Sequence, residues 1–212
     1  NAKSTLLVSG LHTFYLQGLQ RLMDLKFYLD ADPTLRVHWK LLRDQTERGY
    51  TRAEVEGQLD ARKTDSDQFI EPQRQLADVV FSYQPTTPLT DQVGHADAAV
   101  SLQLCVVATT AIELDELLSA LQEVPTLSVA TKMRGTEFKV EASLSGDVSG
   151  ADLYGIAQRI IPDVDELLTN PSGLHGGLQG IQQLMVLKAI SQCLSQRKWR
   201  TDTLLKQEQA EL

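Results

Sequence analysis

Residues 29–50 read L-D-A-D-P-T-L-R-V-H-W-K-L-L-R-D-Q-T-E-R-G-Y. The stretch carries its own start and stop. Asp32 is an N-cap residue, and Pro33 follows at the first helical position, where its missing N–H is not needed. Gly49 comes just after the last periodic residue and marks the end. This predicts one helix from Pro33 to about Arg48. Arg36, Lys40, Asp44 and Arg48 recur every four residues and Arg43 lies beside them, so four cations and one carboxylate share one side. Leu35, Val37, Trp39, Leu41 and Leu42 supply the apolar surface that docks the helix. Like charges at this spacing repel by roughly 0.2–0.5 kcal/mol per pair. Two readings stand: a solvated basic face, or a seat for an arriving anion such as phosphate.

Around this helix the first half alternates. Thr5 to Val8 is a short apolar run that reads as a buried strand, and Thr13 to Met23 has apolar residues at helical spacing. Leu25 to Leu29 is a second strand. Strand, helix, strand, helix is the order of an α/β sheet with parallel strands. Thr51 to Glu54 forms a capping box that opens a helix to about Arg62. Thr64 to Glu71 is polar; its Asp65 and Asp67 read as N-caps or turn formers, and otherwise as paired carboxylates. Ala77 to Ser82 is a third strand. The segment Pro85-Thr86-Thr87-Pro88 and the polar residues 90–97 are the best boundary. Two parts are expected, 1–85 and 86–212.

The second part has another rhythm, that of an α+β unit with antiparallel strands. A long strand runs from Ala98 to Val107, and a helix from Ile112 to Leu121, with acids early, where its dipole favours them. Pro125 to Met133 and Glu137 to Leu144 form a hairpin. A helix follows from Ala151 to Ile161, stopped by Pro162, then a short turn from Val164 to Leu168. Gly173 to Gly177 is a glycine-rich loop in front of a helix from Leu178 to Leu194. The tail beyond Gln196 is polar and helix-prone.

A net charge of −8 argues against non-specific binding of nucleic acid or of an anionic membrane. No apolar run approaches the roughly 18 residues that span a bilayer. The two cysteines, Cys105 and Cys193, sit in apolar periodic segments and read as buried free thiols of a reducing cytoplasm. The histidines and cysteines lack metal-ligand spacing.

Three segments resemble the phosphoribulokinase branch of the phosphoribulokinase/uridine kinase family: L-D-A-D-P, W-K-L-L-R-D-Q-T-E-R-G-Y and A-R-K-T-D-S-D-Q-F-I-E-P-Q-R-Q-L-A-D-V-V. In that family a K-x-x-R-D-x-x-x-x-R-G pattern forms a lid over ATP and the sugar phosphate, and Lys40, Arg43, Asp44, Arg48 and Gly49 match it. V-S-G-L-H resembles the family's E-G-L-H at the end of the Walker B strand. The likeness is specific over Leu6 to Val80, and G-G-L-Q-G-I-Q-Q-L-M-V-L-K near the C-terminus resembles another family segment. The resemblance implies a kinase that transfers the ATP γ-phosphate, with Mg²⁺, to a ribulose 5-phosphate-like hydroxyl. Asp44 and Arg43 are its implied catalytic residues. Lys40, Arg48 and His12 are implied on the substrate, and Lys40 and Arg43 on ATP. His12 reads equally as a packed turn histidine.

The cradle G-x-x-x-x-G-K-[ST] is absent from the sequence, and the glycines at 173–180 read as a helix start. In the family the cradle lies N-terminal to E-G-L-H. The chain opens Asn1-Ala2 without methionine, so it is expected to be the C-terminal part of a P-loop kinase core plus an extension, inactive alone and without tight binding of ATP or Mg²⁺. Ser9 stands where the family has its Walker B acid, so no metal ligand is assigned. Ser9 leaves three explanations: another carboxylate supplies the metal contact, the protein is a divergent kinase with a different substrate, or it is a degenerate paralogue whose C-terminal half is a dimerisation or regulatory module; a uridine-kinase-like enzyme acting on a nucleoside is a separate alternative. A homodimer is expected.

Overall fold

The computed structural model describes residues 5–89, 93–95, 100–134, 139–162, 164–168 and 173–210, with side chains except those of 133–134 and 197–210. The hairpin turn at 135–138, the start of the strand expected from Ala98 and most of the 90–97 segment lie outside the described residues.

One five-stranded sheet organises the chain, in the order β1-β2-β3-β5-β4. The strands are β1 (Phe27–Ala31), β2 (Val79–Pro85), β3 (Leu102–Thr109), β4 (Leu127–Arg134) and β5 (Lys139–Gly146). Among the described residues β1 and β2 alone pair parallel, with Phe27 opposite Val79; the other neighbours are antiparallel. A parallel pair needs a long crossover. Here it is α2 (Pro33–Arg48), α3 (Arg52–Asp65), a π-helical turn (Ser66–Ile70) and a 3₁₀ turn (Glu71–Leu76). β2 and β3 pair from Val79↔Ala108 to Pro85↔Leu102, so the two halves share one sheet.

One face of that sheet holds the main core. Phe81, Leu104, Val106, Ala142 and Leu144 point into it at alternate positions, as a half-covered sheet requires. Three helices cover them: α4 (Asp115–Gln122), α5 (Gly150–Ile160) and α7 (Gly177–Ala210), through Leu117, Leu121, Leu153, Ile156, Ile181 and Leu184. Each burial of a Leu or Ile side chain is worth about 1.5–3 kcal/mol. The short α6 (Val164–Leu167) follows the turn after α5. On α2 the buried residues are Leu35, His38, Leu41 and Asp44; Leu35 packs with Ala31 and Leu89.

Two N-terminal expectations fail. Thr5 to Val8 forms no strand, and Leu6 and Leu7 are 85% and 88% exposed. Among the described residues nothing pairs with this run, and an extended segment without backbone partners gains nothing over coil. The helix read over Thr13 to Met23 contracts to α1 (Gln17–Gln20). Its apolar residues Leu16, Leu19 and Leu22 stay exposed, and one turn alone is below the length at which helices persist. The polar segment at 64–71 is helical: Asp65 ends α3 and Asp67 lies in the π-helical turn, neither capping with its side chain.

Glycine sets the approach of α7 to the rest. A Cβ at Gly180 would stand 1.8 Å from the carbonyl oxygen of His175 and 2.6 Å from Leu153 Cδ1, whereas one at Gly155 would meet nothing within 4 Å. Gly180→Ala is therefore expected to destabilise the fold by about 1–3 kcal/mol. Gly155→Ala, in mid-α5, should stabilise it by about 0.5–1 kcal/mol. Urea unfolding midpoints of the two variants check both signs.

Candidate functional site

The site is built on the C-terminal half of α2. Asp32 caps the helix start by accepting from the backbone N–H of Thr34 at 2.8 Å and of Leu35 at 3.3 Å. At the other end Gly49 takes the left-handed conformation, φ 69°, and the Tyr50 N–H returns to the Asp44 carbonyl at 3.1 Å. Only glycine enters this region without penalty, which is why the helix stops there.

The side chain of Asp44 gathers the cations. Lys40 Nζ donates to Oδ2 at 2.5 Å, Arg43 Nε donates to Oδ1 at 2.9 Å, and Arg48 Nη1 lies 3.3 Å from Oδ1. Lys40 Nζ also donates to Gln58 Oε1 on α3 at 3.2 Å. Asp44 has no exposed side-chain surface because its own partners cover it; Arg43 and Arg48 are about half exposed. Three cations around one carboxylate leave an excess of positive charge facing water. That excess can take a further anion, and two of its carriers are guanidinium groups that match phosphate oxygens with two parallel bonds. The hydrogen bonds from Arg43 and Lys40 hold the Asp44 carboxyl down at about 2.

The sequence-predicted residues divide. Lys40, Arg43, Asp44 and Arg48 come together. Arg36 does not join them: its Nη1 donates to Glu71 Oε1 at 2.9 Å, a closed pair of its own. His12 is exposed in the turn before α1, its ring edge-on to Tyr15 at 6.2 Å. Among the described residues no hydrogen bond or ion pair joins His12 to the cluster. Ser9 is exposed beside it. Among the described residues no group of three His, Cys, Asp or Glu side chains could hold a metal ion. The glycines at 173–180 open α7, with the Gly177 N–H on the Val148 carbonyl at 2.8 Å.

Three partners escaped the sequence. Gln58 reaches Lys40 from α3. Gln73, buried, accepts from the Phe14 N–H and donates to the carbonyls of Leu11 and Phe69, fixing the turn that carries His12. His38, also buried, accepts the Gly94 N–H on Nδ1 at 3.0 Å. A buried polar residue on an amphipathic face was the only available signal, and it shows up for His38 alone.

The fold and cluster define an α/β protein with a cation-rich helix between parallel strands. The profile of the Phosphoribulokinase / Uridine kinase family matches residues 1–90. Over 90 residues the chain is 37% identical to the chloroplastic phosphoribulokinase of Chlamydomonas reinhardtii, covering 42% of this chain and 24% of that protein. Over 85 residues it is 39% identical to the phosphoribulokinase of Synechocystis sp., covering 40% and 26%. Over 80 residues it is 37% identical to the uridine kinase of Geobacillus kaustophilus, covering 37% and 38%. A solved phosphoribulokinase from Rhodobacter spheroides superposes with a TM-score of 0.47 at 16% identity, over 80% of this chain and 52% of that one. The chain thus spans about a quarter of the length of the curated phosphoribulokinases it matches. Over residues 1–90 the chain is thus similar to the phosphoribulokinase/uridine kinase family. Among the described residues no helix is long and apolar enough to cross a membrane.

The acid side of the network has a defined pH signature. Asp44 falls from an ordinary 3.8 to about 2 in the fold. Its charge therefore stabilises the native state fully above about 3.8, and that contribution is lost as pH drops towards about 2. Carboxyl-carbon NMR should show Asp44 titrating below the other aspartates, and Asp44→Asn should flatten the stability profile between those two pH values. A carboxyl titrating near 3.8 would contradict the network.

Proposed function

We propose that this chain is the lid and C-terminal extension of a phosphoribulokinase-like, ATP-dependent kinase that phosphorylates a sugar-phosphate hydroxyl. The observation that carries the reading is the α2 cluster. Lys40, Arg43 and Arg48 converge on one buried carboxylate and leave net positive charge at the surface, at the positions of the K-x-x-R-D-x-x-x-x-R-G pattern. In this reading Lys40 and Arg43 neutralise the phosphates of ATP. Arg48, on the longest of the three contacts, turns to the phosphate of the sugar. Asp44 orients the arginines and meets the acceptor hydroxyl. His12 joins the sugar side when the turn held by Gln73 packs against substrate.

Mg²⁺ is the metal that such a kinase brings with ATP. Ser9 offers no charge and the described residues offer no carboxylate cluster, so they do not fit the ion, and no step is routed through it here. The sequence also holds no G-x-x-x-x-G-K-[ST] cradle, so the chain alone is expected not to turn over. The exposed run Leu6 to Val8 and the edge of β1, which among the described residues pairs only with β2, suit a kinase core whose further strands continue the sheet. The working compartment in this reading is the cytoplasm, with Cys105 and Cys193 half-buried and outside any disulfide. Among the described residues β4 pairs on one side only, leaving an eight-residue edge for a two-fold copy. Sedimentation velocity would report the dimer, and a monomer at all concentrations would remove it.

Ser9 favours a second reading, in which the kinase-like part is a scaffold and the extension a regulatory or dimerisation module. A coupled ADP-release assay of the intact kinase with ribulose 5-phosphate and uridine side by side separates the readings. Turnover on ribulose 5-phosphate supports the first, turnover on uridine a nucleoside kinase, and none on either the scaffold. In the active case Arg48→Ala should raise KM for the sugar phosphate about thirtyfold, equivalent to about 2 kcal/mol of lost charge-assisted contact, with KM for ATP little changed.

A further inference from the structure

Lysine and arginine bring different geometry to the α2 cluster. A guanidinium is a rigid planar fork, whereas an ammonium ends a flexible four-carbon stem and carries three rotatable donors. Arg43 and Arg48 stand about half exposed on Asp44 Oδ1. Lys40 meets the other oxygen, Oδ2, and its side chain is 18% exposed. It also has a second acceptor, Gln58 Oε1 at 3.2 Å, from the neighbouring helix α3. One acceptor leaves an ammonium free to spin about the contact. Two acceptors from two helices engage two of its three N–H groups, and so set the direction of the third.

The kind of residue at 58 matters as much as its reach. α3 reads R-A-E-V-E-G-Q-L-D-A-R-K-T-D and carries Glu54, Glu56, Asp60 and Asp65. Glu54 closes the capping box, and Glu56 pairs with Arg52 at 2.8 Å. On this acid-rich helix the side chain that reaches Lys40 is an uncharged glutamine, half-buried. Its carbonyl faces Lys40, because an ammonium only donates. A glutamate there would hold Lys40 more strongly, as charge-assisted hydrogen bonds do. It would also put a second carboxylate on the cluster and halve the excess positive charge that faces water. Glutamine orients the ammonium without neutralising it.

We infer that Gln58 is a positioning residue of the phosphate site: it aims the third N–H of Lys40 at the arriving anion and leaves the charge of the cluster intact. The inference rests on the reading of α2 as a phosphate-binding helix. It adds a residue from a second helix, outside the K-x-x-R-D-x-x-x-x-R-G pattern.

The test titrates this chain with tripolyphosphate by calorimetry, beside Gln58→Leu and Gln58→Glu, each checked for folding by circular dichroism. The ¹⁵Nζ relaxation of Lys40, read without ligand, reports how firmly the ammonium is held. Gln58→Leu should weaken tripolyphosphate binding about fivefold, through the ordering of one long side chain that binding must then supply, and should loosen the Lys40 ammonium. Gln58→Glu should keep the ammonium ordered and still weaken binding, a split that lost packing would not produce. Where Gln58→Leu does not fold, Gln58→Asn, one methylene too short to reach Lys40, carries the same expectation. Unchanged affinity in the folded variant overturns the inference and leaves the phosphate reading intact. So does a loss of affinity with Lys40 relaxation unmoved, since Gln58 would then act through the fold alone. Binding as tight in Gln58→Glu as in the unaltered chain also overturns it. No binding of tripolyphosphate by the unaltered chain overturns the phosphate reading and the inference with it.

Discussion

The contact on which the rest depends is the Asp44 carboxylate held by three cations. A carboxylate without solvent exposure is costly unless it is paired and hydrogen-bonded, and Asp44 meets that condition through Lys40, Arg43 and Arg48. The same residue's backbone carbonyl receives the Tyr50 N–H past Gly49. One position thus ends the helix with its main chain and gathers the charges with its side chain. Gln58 ties Lys40 to α3, so the cluster also fixes how the two crossover helices meet. Removing Asp44 would leave three cations repelling one another at helical spacing and would loosen both helices together.

The charge that faces water follows from the same arrangement. Arg36, Arg52 and Lys26 each close on one carboxylate, Glu71, Glu56 and Asp78. Against those one-to-one pairs the α2 cluster carries three cations for one acid. An anion arriving there meets guanidinium groups already oriented by Asp44, so little side-chain ordering is left for the binding step.

Much of this was legible from the chain. Asp32-Pro33 and Gly49 gave both ends of α2, Thr51 and Glu54 the capping box of α3, and the spacing of Lys40, Asp44 and Arg48 their common side. The hairpin of β4 and β5 followed from the alternation Val140, Ala142, Leu144, all buried. Local patterns carried those elements because their determinants lie within a few residues. Thr5 to Val8 misled, since an apolar run becomes a strand only if a neighbour pairs with it. Arg36 misled for a similar reason: its partner, Glu71, is 35 residues away in sequence. Gln58 and Gln73 were invisible because each depends on which distant segments the sheet brings together.

The most direct test of the cation cluster reads the arginine side chains themselves. ¹⁵Nε resonances of the chain are followed during titration with ribulose 5-phosphate, and with neutral ribulose as control. Saturable shifts confined to Arg43 and Arg48, with Arg36 and Arg52 unmoved and no response to ribulose, are the predicted result. Shifts of equal size at all four arginines, or none at Arg43 and Arg48, would contradict the account of α2 as a phosphate-binding helix.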